Sequence, residues 1–263
     1  MDAFSFASQV ELIGPDVFRA EIPAGWEQGR GAFGGLVLGT LLRAIEEAAS
    51  DPTRPARVFS GDLLAPVVPG PVEVRVRRLR EAKTQSNLAA EMLQAGEVVA
   101  VGHALLSLPR AAPARPITTE PPSPPAHGSV AVAPLEPPAA PAFTQHYEFR
   151  VLEPMPFSGA TTAESAGWVR GRVTEPVDAP AIVALLDSHW PAAMALESGW
   201  RPMVTVSFTA EFLADPRSLD AAAPFFLRAR AVAERDGFIV ELRELWQDGR
   251  LVGMNQQTFA IVK

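Results

Sequence analysis

The stretch FGGLVLGTLLRAIEEAA, residues 33–49, decides the fold. Its leucines and isoleucine are spaced for a buried helical face, which predicts a helix over about residues 32–49. Asp51-Pro52 then stops it. A helix this apolar must be covered on more than one side, and a curved antiparallel sheet can do that. The flanking sequence supplies such a sheet. VELIG and DVFRAEI read as short strands before the helix. Three or four β-like runs follow it, at residues 56–65, 71–80, 85–94 and 97–108, broken at PVVPGP, REAK and Ala95-Gly96.

The same order recurs further on. QHYEFRVL and SAGWVRGRV read as strands, a helix is expected over about residues 181–196 after Pro180, and Ser198-Gly199 ends it. Four strands are expected at 203–213, 225–234, 238–247 and 250–262. The halves also match locally: Gln94-Ala95-Gly96-Glu97-Val98-Val99 corresponds to Gln247-Asp248-Gly249-Arg250-Leu251-Val252, an offset of 153 residues. A repeat this long points to a duplicated domain, since solenoid periods are far shorter. Between the halves, 11 of the 33 residues from Pro109 to Pro141 are proline. Proline cannot donate to a ladder and disfavours helix before it, so an extended, semi-rigid connector is expected. The implied organisation is an N-terminal unit at 1–108, a linker at 109–142 and a C-terminal unit at 143–263. Helix and strands that do not alternate as βαβ make the fold class α+β. The pattern is that of a tandem double hotdog, two long helices each wrapped by a curved antiparallel sheet.

With 263 residues, 48% hydrophobic and 20% charged, the chain has ample core material for two units. No apolar run approaches the ~20 residues of a membrane span. Met1–Gly14 lacks a basic residue ahead of an apolar stretch, so no secretory signal is expected and a cytoplasmic location is the default. The absence of cysteine excludes disulfides, cysteine nucleophiles and thiolate-held metals. A formal charge of −7 argues against general nucleic-acid binding, which needs a basic face.

Three segments carry a family resemblance: GAFGGLVLGTLLRA at 31–44, RLREAKTQSN at 78–87 and DGRLVGMNQQ at 248–257. In order and spacing they resemble the acyl-CoA thioesterase II family, across nearly the whole chain. The resemblance implies hydrolysis of an acyl-CoA thioester by an aspartate, a threonine and a glutamine that hold the attacking water. It places the aspartate at Asp187 on the second helix, the threonine at Thr205 in the strand after it, and the glutamine at Gln257 in the last strand. Gln256 is the one-residue alternative, which would face the other side of the sheet. Leu186 stands where the family has serine, Ser207-Phe208-Thr209 where it has Asp-His-Ser, and Thr258 where acidic residues are usual. These departures bear on substrate range. They also motivate an alternative, a non-catalytic acyl-CoA-binding hotdog protein; a hydrolase or dehydratase acting on another thioester carrier is a third reading.

On their own terms, the residues suit the chemistry. Asp187 lies in the apolar run IVALLDSHW, and burial without a cation would raise its pKa towards the range of a general base. The bland alternative is a carboxylate that merely caps or solvates a helix turn. Thr205 and Gln257 can each donate and accept, so they could orient a water. The 153 offset lays Asp187 on Gly34 and Gln257 on Ala104, and a local alignment lays Thr205 on Phe59, so one active site per chain is expected. Gly34 and Gly35 begin the first helix, where their N–H groups could polarise a thioester carbonyl or simply allow tight packing. Arg78 and Arg80, within a run of basic residues from Arg75 to Lys83, could hold coenzyme A phosphates; strand alternation suggests a solvated face instead.

Other signals are weaker. Gly29, Gly31 and Gly34 satisfy GxGxxG, but IPAGWEQ before them is no hydrophobic strand. His103, His127, His146 and His189 show no ligand spacing, and His189 reads as a helix-surface or interface histidine. The five tryptophans read as core or interface. No cofactor is expected beyond coenzyme A as part of the substrate, and association into dimers or tetramers is a family-based expectation.

Overall fold

The computed structural model describes residues 3–115, 117–152 and 154–262. A short helix, α1 (Phe4–Ala7), precedes strands β1 (Glu11–Gly14) and β2 (Val17–Ile22). A two-stranded ribbon of β3 (Glu27–Gln28) and β4 (Gly31–Ala32) leads into α2 (Gly34–Ala49). Strands β5 (Ala56–Leu63), β6 (Gly70–Glu81), β7 (Gln85–Gln94) and β8 (Glu97–Ser107) complete the first half. The second half runs β9 (Tyr147–Leu152), β10 (Glu164–Gly171), α3 (Ala179–Asp187), β11 (Met203–Phe212), β12 (Phe225–Arg235), β13 (Phe238–Gln247) and β14 (Arg250–Ile261). This is the double hotdog arrangement, with one addition. The two half-sheets join edge to edge into one twelve-stranded antiparallel sheet, in the order β1-β2-β6-β7-β8-β5-β11-β14-β13-β12-β10-β9.

The seam is β5 against β11, where Ser60 lies opposite Thr209 and their hydroxyls are 3.0 Å apart. Ser60 and Thr209 hold equivalent places in the two halves, so the central strands are related by 149 residues. Bulges confirm it: β5 is irregular between Ala56 and Val58, and β11 between Thr205 and Ser207. In the closing hairpins the relation is 153, because Phe59 pairs with Ala104 as Phe208 pairs with Gln257. The turns there match too, with positive φ at Ala95-Gly96 and at Asp248-Gly249. The local alignment therefore needs correction: the counterpart of Thr205 is Ala56, not Phe59.

Helix α2 is buried along almost its whole length, including Leu36, Leu38, Leu41, Leu42 and Ile45. It packs against α3 at two glycines one turn apart on the same face. A Cβ on Gly35 would come within 2.8 Å of Ala184 Cα, and one on Gly39 within 3.1 Å of the Pro180 carbonyl oxygen. Only glycine permits that approach without moving backbone.

Helix α3 is shorter than the expected 181–196. It starts earlier, because Asp178 caps it by accepting from the Ala181 N–H at 2.8 Å and Pro180 sits in its first turn. It ends at Asp187. Ser188 Oγ donates to the Leu185 carbonyl at 2.7 Å, and Pro191 has no N–H to continue the ladder. A separate 3-10 turn, Ala192–Ala195, follows. Part of the proline-rich connector lies across β9 and β10, where the Trp168 indole donates to the Pro125 carbonyl and Arg150 to those of His127 and Val130.

Candidate active site

The end of α3 delivers Asp187 to the start of α2. A Cβ on Gly34 would lie 2.8 Å from Asp187 Oδ2, and the Gly35 N–H donates to the Asp187 carboxylate. Gln257 enters from β14, fully buried, while Gln256 is exposed, so the inward glutamine is the one expected. Its Nε2 donates to Asp187 Oδ1 at 2.6 Å and to Thr205 Oγ1 at 2.7 Å.

The bulge explains how Thr205 reaches this cluster. In a regular strand Thr205 and Phe208 would face opposite sides of the sheet. The extra residue at Val206 brings Thr205 opposite Phe259 and Phe208 opposite Gln257, so both cross-strand pairs share the inner face. Asp187, Thr205 and Gln257 are thus brought together from α3, β11 and β14. The first half has Ala56 and Ala104 in the places of Thr205 and Gln257 and holds no such cluster among its described residues.

The remaining sequence candidates are placed differently. Gly34 and Gly35 lie at the centre, but the Gly35 N–H is engaged by Asp187 and not left for a carbonyl. Arg78 lies far away. It donates to the Ala48 carbonyl at the other end of α2 and pairs with Asp16 and Glu81. A 16-residue helix separates that point from Gly34 by about 20 Å. Arg80 is exposed on the same strand, opposite Asn87. His189 is not a surface histidine; it is buried, its Nδ1 3.4 Å from Ser165 Oγ, beside the Phe149 and Trp190 rings. Of the tryptophans, Trp26 and Trp246 are core, whereas Trp200 is 78% exposed.

Asp187 is 6% exposed, and burial pushes its pKa up to about 6. Arg243, the Gln257 side chain and the Gly35 N–H oppose that rise, and Glu241 adds to it. The expectation of a carboxylate without a cation thus needs correction: Arg243 is close enough to act on it. Arg243 and Glu241 form a fully buried ion pair at 2.7 Å, which the sequence reading missed. The signal was present in β13, where Ile239, Glu241, Arg243 and Leu245 alternate onto one face and all four are buried. Val240 and Leu242 on the other face masked it.

The raised pKa fixes the sign of a stability effect. The native state favours protonated Asp187, so its contribution is present below about pH 4, the ordinary aspartate range, and is lost as pH rises through about 6. Asp187→Asn removes a buried charge. It is expected to raise stability above pH 6 by up to about 3 kcal/mol, with the gain vanishing near pH 4, as read by denaturant unfolding at several pH values. Gly34→Ala should act on the same carboxylate. The new methyl meets a side chain that can move, so the fold should persist while Asp187 is pushed from Gln257 and turnover falls by about tenfold or more.

Comparisons with known proteins agree with this architecture. Residues 22–107 match the family model of the acyl-CoA thioesterase N-terminal domain, and residues 117–261 that of the C-terminal domain. A search of curated proteins found no match. Among solved structures, a hot dog fold protein of Alicyclobacillus acidocaldarius is 26% identical, with a TM-score of 0.88 over 100% of this chain and 99% of that one. The acyl-CoA thioesterase II TesB2 of Mycobacterium marinum is 16% identical, with a TM-score of 0.79 over 99% and 98% of the two chains. At that identity the likeness is one of fold. No helix among the described residues is long and apolar enough to cross a membrane.

Proposed function

The chain belongs to the acyl-CoA thioesterase family of thioester hydrolases, and on that premise we propose that it hydrolyses an acyl-CoA at one buried centre, formed by Asp187, Thr205 and Gln257. The observation that carries this reading is the Gln257 amide bridging a carboxylate with a raised pKa to a hydroxyl. In the proposed step Asp187 takes a proton from water while the water oxygen attacks the thioester carbon. The C–S bond then breaks, and the thiolate leaves as coenzyme A and receives that proton. Gln257 Oε1 has no hydrogen-bond partner among the described residues, so it can accept from the water. Thr205 Oγ1 accepts from Gln257, which leaves its own proton to donate to the water or to the developing oxyanion. The Gly34 N–H, in the first turn of α2, can favour negative charge at the same place.

A thioester is activated enough for this apparatus, since general-base catalysis supplies on the order of 10²–10⁴-fold and positioning supplies more. Thiol release should be measured across acyl-CoA chain lengths and across pH. The expected profile of kcat/KM rises with pH through about 6 and then levels, as Asp187 ionises. Stoichiometric acyl-CoA binding with no thiol release at any pH would instead favour the acyl-binding reading.

A further inference from the structure

Glu241 and Arg243 sit in the core of a domain whose fold does not need them there. Both are 0% exposed. Arg243 Nε donates to Glu241 Oε1 at 2.7 Å, and its Nη1 donates to the Leu186 carbonyl at 2.8 Å. Its Nη2 lies 3.4 Å from the Trp190 carbonyl, and its guanidinium stacks over the Phe259 ring, 5.4 Å from the centroid. Glu241 Oε2 accepts from the Ala192 N–H at 2.6 Å, and Glu241 lies directly across the ladder from Gln257. The pair therefore grips the chain on both sides of Asp187, at residues 186, 190 and 192, and stands beside the glutamine that Asp187 touches.

The first half supplies an internal control. There Leu88 pairs with Ala104 as Glu241 pairs with Gln257, and Ala90 pairs with Gly102 as Arg243 pairs with Asn255. Leu88 and Ala90 are buried. The same fold position is thus filled by apolar residues in the half that has Ala56 and Ala104 in place of threonine and glutamine. A buried ion pair is often no more stabilising than packed apolar residues of similar volume. Its presence in one half only goes with the chemistry.

We propose that Glu241 and Arg243 are positioning residues of the hydrolytic centre, clamping the turn that carries Asp187 and setting the charge field in which it works. The inference rests on the reading of Asp187 as the base. Arg243 and Glu241 face it from β13, and Tyr147 on β9 also feels its charge. Thr205, Gln257 and the Gly35 N–H contribute no net charge, and burial holds His189 neutral, with a pKa lowered to about 3. Arg243 favours the charged carboxylate and Glu241 opposes it, so removing Glu241 has a definite sign.

Two variants and a control test this. Glu241→Gln keeps the shape and removes the negative charge. It should move the titration of Asp187 downward, seen both in the acid limb of kcat/KM and in carbon-13 NMR of aspartate-labelled protein, with Asp187→Asn assigning the signal. The double variant Glu241→Leu with Arg243→Ala copies the residues of the first half. It should lower kcat by on the order of 10²-fold with little change in KM. An unmoved titration in Glu241→Gln, or a folded double variant with wild-type kcat, overturns the proposal. If the double variant does not fold, the titration of Glu241→Gln decides alone. Full activity in Asp187→Asn would instead overturn the function proposed above; an inactive Asp187→Asn beside unaffected Glu241 and Arg243 variants overturns this inference only.

Discussion

Asp187→Asn is expected to lower kcat for acyl-CoA hydrolysis by on the order of 10²–10⁴-fold while leaving acyl-CoA affinity nearly unchanged. Asparagine has the same shape and can still accept from the Gly35 N–H, so the start of α2 and the end of α3 should keep their packing. What it cannot do is take a proton from water. Thr205 and Gln257 would still be present to hold the water and polarise the carbonyl, so residual turnover above the uncatalysed rate is expected. Unfolding cannot account for such a loss, because the same substitution should raise stability above pH 6. Lower turnover with higher stability is the signature of a functional group held at a cost to the fold. Stopped-flow thiol release, with equilibrium binding of the same acyl-CoA, reads both parts.

Arg243→Ala is expected to destabilise the protein by about 3–5 kcal/mol. The loss is larger than the pair contributes, because Glu241 would stay in the core without its partner, where burial, which already pushes its pKa up, leaves it to carry an uncompensated charge or take up a proton. The carbonyls of Leu186 and Trp190 would also lose their donor at the end of α3, where a cation suits the helix dipole. Adding Glu241→Leu should recover a substantial part of that loss, since Leu88 and Ala90 already occupy the equivalent sites in the first half. Denaturant unfolding of the single and double variants measures this coupling; equal destabilisation in both would show that Glu241 carries no buried charge at neutral pH.

Much of this architecture was legible in the sequence for reasons that can be named. The apolar surface of α2 announces a helix covered on several sides, and the paired Ala95-Gly96 and Asp248-Gly249 turns announce the duplication. The resemblance, counted from the closing hairpin, places the glutamine at Gln257 with Gln256 as the alternative on the other face, and the structure buries the first and exposes the second. The early end of α3 was readable in principle from Pro191, whose missing N–H breaks the ladder.

Other features depend on tertiary pairing that no local pattern carries. The bulge at Val206 turns Thr205 inward, yet alternation along MVTVSFTAEF gives no sign of it. Joining of the half-sheets through Ser60 and Thr209 needs two strands from different halves. The spacing of the basic residues made Arg78 a phosphate candidate, whereas in the fold it holds the last turn of α2. Arg243 was hidden because a charged residue in an alternating strand ordinarily marks the solvated face.

The central claim, that a water held by this centre attacks the thioester, is tested most directly by a single turnover in oxygen-18 water with the protein in excess over acyl-CoA. Mass spectrometry would follow the free acid and the peptide containing Asp187. The account predicts one labelled oxygen in the acid from the first turnover and none in the peptide. Unlabelled acid with label appearing at Asp187, the mark of attack by the carboxylate itself, would contradict it, as would the absence of any thiol release.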